Sequence, residues 1–157
     1  VGKFVACWLA FTNLVGFLPQ IETYTVRATA WTLGKLLRLV PVSSGTGGAD
    51  LVYAGPILFQ IVTECTSLMP TLILWSAILA FPAPWRLRAS GLILVAAGLW
   101  IYNLIRLLGL FVVKALWPTA YDAVHVYLWQ TTTLAVVFAF FFLWLRMNLK
   151  VAPARTS

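Results

Sequence analysis

Charged residues are scarce in this chain. They make up 10% of its 157 residues, against about 25% in an ordinary soluble domain. Acids number four, Glu22, Asp50, Glu64 and Asp122, and His125 is the single histidine. Cysteine occurs twice, as Cys7 and Cys65, with no C-x-x-C pair. The poverty of charge excludes a disordered segment and a soluble enzyme of ordinary composition. Two isolated cysteines and one histidine exclude a disulfide-rich module, a zinc site and a dithiol oxidoreductase. No metal or cofactor is expected.

Apolar surface takes the place of charge. Hydrophobic residues are 62% of the chain and the mean hydropathy is +0.93. Eight Trp and ten Phe are many for this length, and lipid-facing and interfacial surfaces use them. The composition is that of an integral membrane protein with one domain over residues 1–157. Eleven basic residues leave a net charge of +7. They are scattered between apolar runs without a dense patch, so nucleic acid is not the partner; membrane lipid is.

Four apolar runs have the character of membrane spans, at about residues 4–18, 68–81, 89–113 and 124–145. Lys3 and the first run also have the look of a signal peptide. No small-x-small cleavage site follows Leu18 and further spans come later, so the run reads as a retained helix. With a cytoplasmic N-terminus, Lys3, Arg86, Arg88, Arg146, Lys150 and Arg155 fall inside and all four acids fall outside. That partition predicts four spans in the cytoplasmic (inner) membrane, with both ends cytoplasmic.

Residues 24–40 read as an amphipathic helix in the outer leaflet. Arg27, Lys35 and Arg38 share one side, and Val26, Leu33, Leu36, Leu37 and Val40 the other. A fifth span is the alternative, disfavoured by the cost of centring Lys or Arg in lipid. Residues 43–50 are a Gly/Ser-rich loop. Residues 51–63, broken by Gly55-Pro56, fit either a short extracytoplasmic hairpin or a helix that runs on into the next span. The expected fold is an all-α membrane protein with this one loop or hairpin.

Polar groups embedded in such a chain are informative because lipid penalises them. Glu64-Cys65-Thr66-Ser67 precedes the second span. Thr66 or Ser67 can cap that helix, which puts Cys65 near a helix N-terminus, where the dipole favours a thiolate. Asn103 and Arg106 share a face of the third span, with Gly91, Gly98 and Gly109 alongside to let another helix approach. Arg106 lies about 26 Å along that helix from Ala89, near the far edge of a hydrocarbon core about 30 Å thick. His125 opens the fourth span, with Tyr121, Trp129 and Thr132 on or near its face. Each has a plainer role too: Cys65 as a small apolar filler, Arg106 snorkelling to headgroups, His125 paired with Asp122 or water. The topology nevertheless brings all three to one side of the membrane, as a nucleophile, an anion stabiliser and a proton shuttle.

Glu64-Cys65-Thr66-Ser67, then Asn103-Leu104-Ile105-Arg106, then His125, in this order on successive spans, resembles the exosortase/archaeosortase family. The resemblance covers roughly residues 55–144 and is loose before that. It implies a membrane-embedded cysteine transpeptidase acting on exported proteins that end in a short motif, a transmembrane helix and a basic tail. Cys65 is then the nucleophile, His125 the general acid/base and Arg106 the stabiliser of the tetrahedral intermediate. Asn103 is supporting, with Glu64, Ser67, Tyr121 and Trp129 around the site. Ser67 departs from the glycine that family members often carry two residues after the cysteine. The competing readings are a non-enzymatic scaffold or transporter subunit, and an integral-membrane acyltransferase using His125 and Arg106. The cleaved protein must bring its own helix beside the bundle, and the amphipathic helix at 24–40 is expected to border its path.

Overall fold

The structure, a computed structural model, describes residues 1–39 and 43–151, with side chains as far as Met147. Val40, Arg155 and the side chain of Lys150, to which the sequence assigns a face or a side of the membrane, lie outside the described residues. The chain is mostly helical, with one small sheet.

Helix α1 (Gly2–Phe17) is apolar and stops at Leu18, whose backbone leaves the helical region ahead of Pro19. Pro19 opens α2 (Pro19–Leu37) at a position where its missing N–H costs nothing, and Glu22 suits the first turn. The helix therefore starts at Pro19, earlier than the expected residue 24. The two axes meet at 84°. Along α2, Thr29, Ala30, Leu33, Gly34 and Leu37 are buried while Arg27, Lys35 and Arg38 are exposed. The amphipathic partition read from the sequence is thus the packing of the helix, and Lys35 folds back over the exposed Trp31 ring at 3.8 Å.

The segment left open between hairpin and helix is a hairpin. Strands β2 (Leu51–Ala54) and β3 (Ile57–Gln60) pair antiparallel around Gly55, whose φ of 59° favours glycine. Part of the expected loop at 43–50 is also a strand. β1 (Ser44–Thr46) pairs with β2 and completes an antiparallel sheet in the order β1-β2-β3. The sheet qualifies the all-α expectation. α2 lies on it so closely that a Cβ on Gly34 would come within 2.8 Å of Thr46 Cγ2.

A 3-10 turn (Thr63–Cys65) leads into α3 (Leu68–Ala80), and α4 (Trp85–Leu116) follows after Pro82 and Pro84. A 3-10 turn (Pro118–Ala120), a short α5 (Tyr121–Ala123) and a π-helical turn (Val124–Leu128) lead into α6 (Trp129–Val151). Among the described residues two helices, 85–116 and 118–147, are long and apolar enough to cross a bilayer, and the bent pair α1–α2 makes up to three. α3 has 13 residues, about 20 Å of rise, which falls short of a hydrocarbon core of about 30 Å. The expected four helices are present; four complete crossings go beyond what their lengths establish.

α4 is the spine. Near its end it packs with α2 and the sheet through Ala30, Leu33, Leu37, Val52, Ile61, Leu107, Leu110 and Phe111. Near its start, Val95 and Leu99 meet Leu74, Ile78 and Trp144. The glycine stripe faces α6: a Cβ on Gly91, Gly98 or Gly109 would collide with Trp144, Phe140 or Trp129 respectively. Two polar ties span the same interface. Trp144 Nε1 donates to the Leu87 carbonyl at 2.9 Å, and the Tyr102 hydroxyl lies 3.0 and 3.1 Å from the Thr132 and Thr133 hydroxyls.

Candidate active site

Cys65 closes the 3-10 turn, three residues before α3 begins, so it precedes the first helical turn and its amides. The local structure is built by threonine and serine. Thr66 Oγ1 donates to the Thr63 carbonyl at 2.7 Å and accepts the Leu68 N–H at 3.3 Å. Ser67 occupies the cap position of α3 without a side-chain cap bond. Its carbonyl takes both the backbone N–H and the hydroxyl of Thr71, at 3.0 and 2.7 Å. Thr66 is therefore the residue whose hydroxyl serves the helix start. Cys65 is half-buried with a free thiol, and Glu64 is exposed.

Asn103 holds this turn against α4. Its Nδ2 donates to the Cys65 carbonyl at 2.8 Å, and the side chain is buried. Arg106, one turn further along the same face, is 9% exposed, and its buried Nε has no hydrogen-bond partner among the described residues. A buried cation with an unused donor is expensive in a membrane interior. Beside it lies a cavity of about 10 Å³ lined by Thr66, Ser67, Asn103, Arg106 and Thr133, room for about one water molecule.

His125 sits in the π-helical turn that opens the last helix. Such turns widen the helix by one residue and recur at functional sites. Its ring is half-buried, 5.7 Å from the Tyr121 ring. The short connection at 117–120 returns the chain antiparallel to α4, which sets His125 at the Arg106 end of the bundle. The imidazole lies within electrostatic reach of Arg106 and Asp122, and the Tyr121 phenol within reach of Cys65, Asp122 and Arg106. Tyr121 stands between His125 and the hairpin. It packs on Phe59 at 5.5 Å, and Lys114 Nζ stands 4.5 Å above its ring. Trp129 lies against Gly109 and Tyr102, with a buried Nε1 that has no partner among the described residues.

Cys65, Asn103, Arg106, Tyr121 and His125 therefore gather at one end of the molecule. Among the described residues no hydrogen bond joins Cys65 to His125 or to Arg106; catalytic bonds often tighten only with substrate. Glu64 shares the 3-10 turn with Cys65 but is exposed, and no described side-chain hydrogen bond ties it to the others. Sequence reasoning placed Thr132 near the His125 face but missed its link, with Thr133, to the Tyr102 hydroxyl. No group of three or more His, Cys, Asp or Glu side chains is placed to hold a metal ion among the described residues.

Two clefts reach this end from the side. An apolar groove of about 490 Å³ runs between α3 and α6, past Phe141, Phe138, Leu134 and Ile73 to Pro70 and Thr133. Pro70 and Thr133 also wall the Arg106 cavity. A smaller cleft of about 180 Å³ joins Thr25 of α2 to Thr66 and Ser67. The larger groove is bordered by α1, α3 and α6, so α2 rims only the smaller one.

Comparison with protein-family models, with curated proteins and with solved structures finds no match for this chain.

Proposed function

We propose that this chain is a membrane-embedded cysteine peptidase or transpeptidase of exosortase/archaeosortase type. In this reading all four apolar helices reach across or deep into the membrane. Both ends are cytoplasmic, and the Cys65 end faces outward. The substrate is an exported protein whose C-terminal transmembrane helix lies in the groove between α3 and α6, with the scissile bond above Pro70. The observation that carries the reading is the tie between Asn103 and the Cys65 carbonyl, one helical turn from a buried Arg106 with an unused donor. A purely structural arginine at this depth would be expected to satisfy its donors.

The chemistry follows from the groups. The Cys65 thiolate attacks the scissile carbonyl carbon, and the C=O pair moves onto oxygen. The Arg106 guanidinium offsets that charge. Protonated His125 gives its proton to the departing amine as the C–N bond breaks, which leaves a thioester on Cys65. An acceptor amine or water, deprotonated by His125, then attacks the thioester and frees the thiolate. Tyr121 packs beside the imidazole and limits its rotation.

The test is processing of a reporter that ends in a motif, a span and a basic tail, with enzyme abundance checked. Cys65→Ala should abolish cleavage. Cys65→Ser should be nearly inactive, because a hydroxyl ionises far less readily than a thiol. Normal processing by Cys65→Ala at equal abundance leaves a scaffold or transporter subunit as the better reading.

A further inference from the structure

A second apolar groove, of about 670 Å³, lies between the end of α2, the β2–β3 hairpin and the last two turns of α4. We infer that it binds one anionic phospholipid, with an acyl chain along Leu108, Phe111 and Ile57 and the phosphate on Lys114. Among the described residues the walls are apolar except for Lys114, the one charged residue of the lining. Leu108, Phe111, Val112 and Ala115 follow helical spacing and form one face. Leu37 and Phe111 at its back are each 5% exposed, so three elements hold a formed wall.

Charge and depth select the occupant. Leu108 lies about 9 Å below Lys114 along the helix axis, a path that suits a chain hanging from a headgroup. Lys114 is in the last turn of α4. Its side chain borders the groove, and its ammonium stands 4.5 Å over the Tyr121 ring. With no carboxylate in the lining, a phosphate meets a cation without a competitor. A zwitterionic headgroup brings a second positive charge to the same cation, and a free phosphate leaves the apolar wall uncovered. The lipid site meets the candidate active site where Lys114 stands over Tyr121, but lipid retention is read without turnover and does not depend on Cys65.

The experiment is native mass spectrometry of the purified full-length chain, with phosphatidylglycerol or phosphatidylcholine added in detergent. The wild type should retain one phosphatidylglycerol in preference to phosphatidylcholine. Lys114→Ala should weaken that retention about fivefold, the worth of one basic residue toward an anionic headgroup, while Lys114→Arg keeps it. Val112→Trp fills the groove from an exposed position and should remove the bound lipid with Lys114 still present. Soluble glycerol phosphate should not displace it. Equal retention of both lipids, unchanged retention in Lys114→Ala or Val112→Trp at wild-type thermal stability, or displacement by glycerol phosphate overturns the inference.

Discussion

The side chain of Asn103 and the backbone carbonyl of Cys65 are joined by a 2.8 Å hydrogen bond across 38 residues of sequence. The carbonyl ends a 3-10 turn, where no further turn continues to supply a donor. Asn103 provides one from the middle of the longest helix and so sets the height of Cys65 against α4. Position 103 thereby acts on the thiol through the backbone.

Asn103→Ala removes that donor and leaves the Cys65 carbonyl short of a partner. The cost should be about 1–3 kcal/mol, the range for an unsatisfied buried group, seen as a lower Tm in detergent. Reporter processing should fall with it. Cys65→Ala should leave Tm nearly unchanged, because the bond uses the backbone. A wild-type Tm for Asn103→Ala would mean that the bond does not form in solution.

Arg106→Met should separate stability from activity. The buried Nε has no hydrogen-bond partner among the described residues, so an apolar side chain of similar length removes a desolvated charge without breaking that kind of tie. Tm should stay level or rise, while processing drops by orders of magnitude. Arg106→Lys should not restore the rate, since a point charge cannot reproduce a planar fork of donors. A large loss of Tm in Arg106→Met would instead mark the arginine as a structural brace.

Tyr121→Phe keeps the ring that meets Phe59, Lys114 and His125 and removes only the hydroxyl. Folding should be unaffected. Processing should stay near the wild-type rate, because the ring that flanks His125 is kept and no described hydrogen bond uses the hydroxyl. A loss of about tenfold or more would give the hydroxyl a part in the chemistry.

Gly98→Ala drives a methyl group into the Phe140 ring and Gly109→Ala one into Trp129. Each should destabilise by about 1–3 kcal/mol through overpacking, read as a fall in Tm. Phe140→Leu should relieve Gly98→Ala in part and should leave Gly109→Ala unrelieved. Gly16→Ala is the contrast: no atom lies within 4 Å of its added Cβ, so helix propensity alone should make it neutral or stabilising by about 1 kcal/mol.

Cysteine labelling in intact cells tests the orientation. Gly48→Cys and Thr119→Cys, both exposed and at the Cys65 end, should react with an impermeant reagent from outside. Arg86→Cys, at the start of α4, should react only after the membrane is opened. The reverse pattern would invert the topology and move the candidate site to the cytoplasm.

Local pattern alone determined much of this protein. Where polar residues are rare, the spacing of apolar runs marks helices, because each must turn its apolar surface outward or onto a neighbour. The buried and exposed sides of α2 follow directly from Arg27, Lys35 and Arg38 against Leu33 and Leu37. The stripe Gly91, Gly98 and Gly109 announced a close helix contact, since small residues at helical spacing have little other use in lipid. Connection order alone brought Cys65, Arg106 and His125 to one end.

Tertiary packing decided the rest. Residues 51–60 satisfy both a strand and a buried helix by composition. Pairing with 44–46, which no local signal marks, settles them as a sheet under α2. The π-helical turn at His125 has no signature in residue type. Asn103 was legible as a polar group on the Arg106 face, but its partner was not. A hydrogen bond across 38 residues joins two elements whose relative height is set by side-chain volumes along their whole contact, and a one-dimensional pattern does not carry that information.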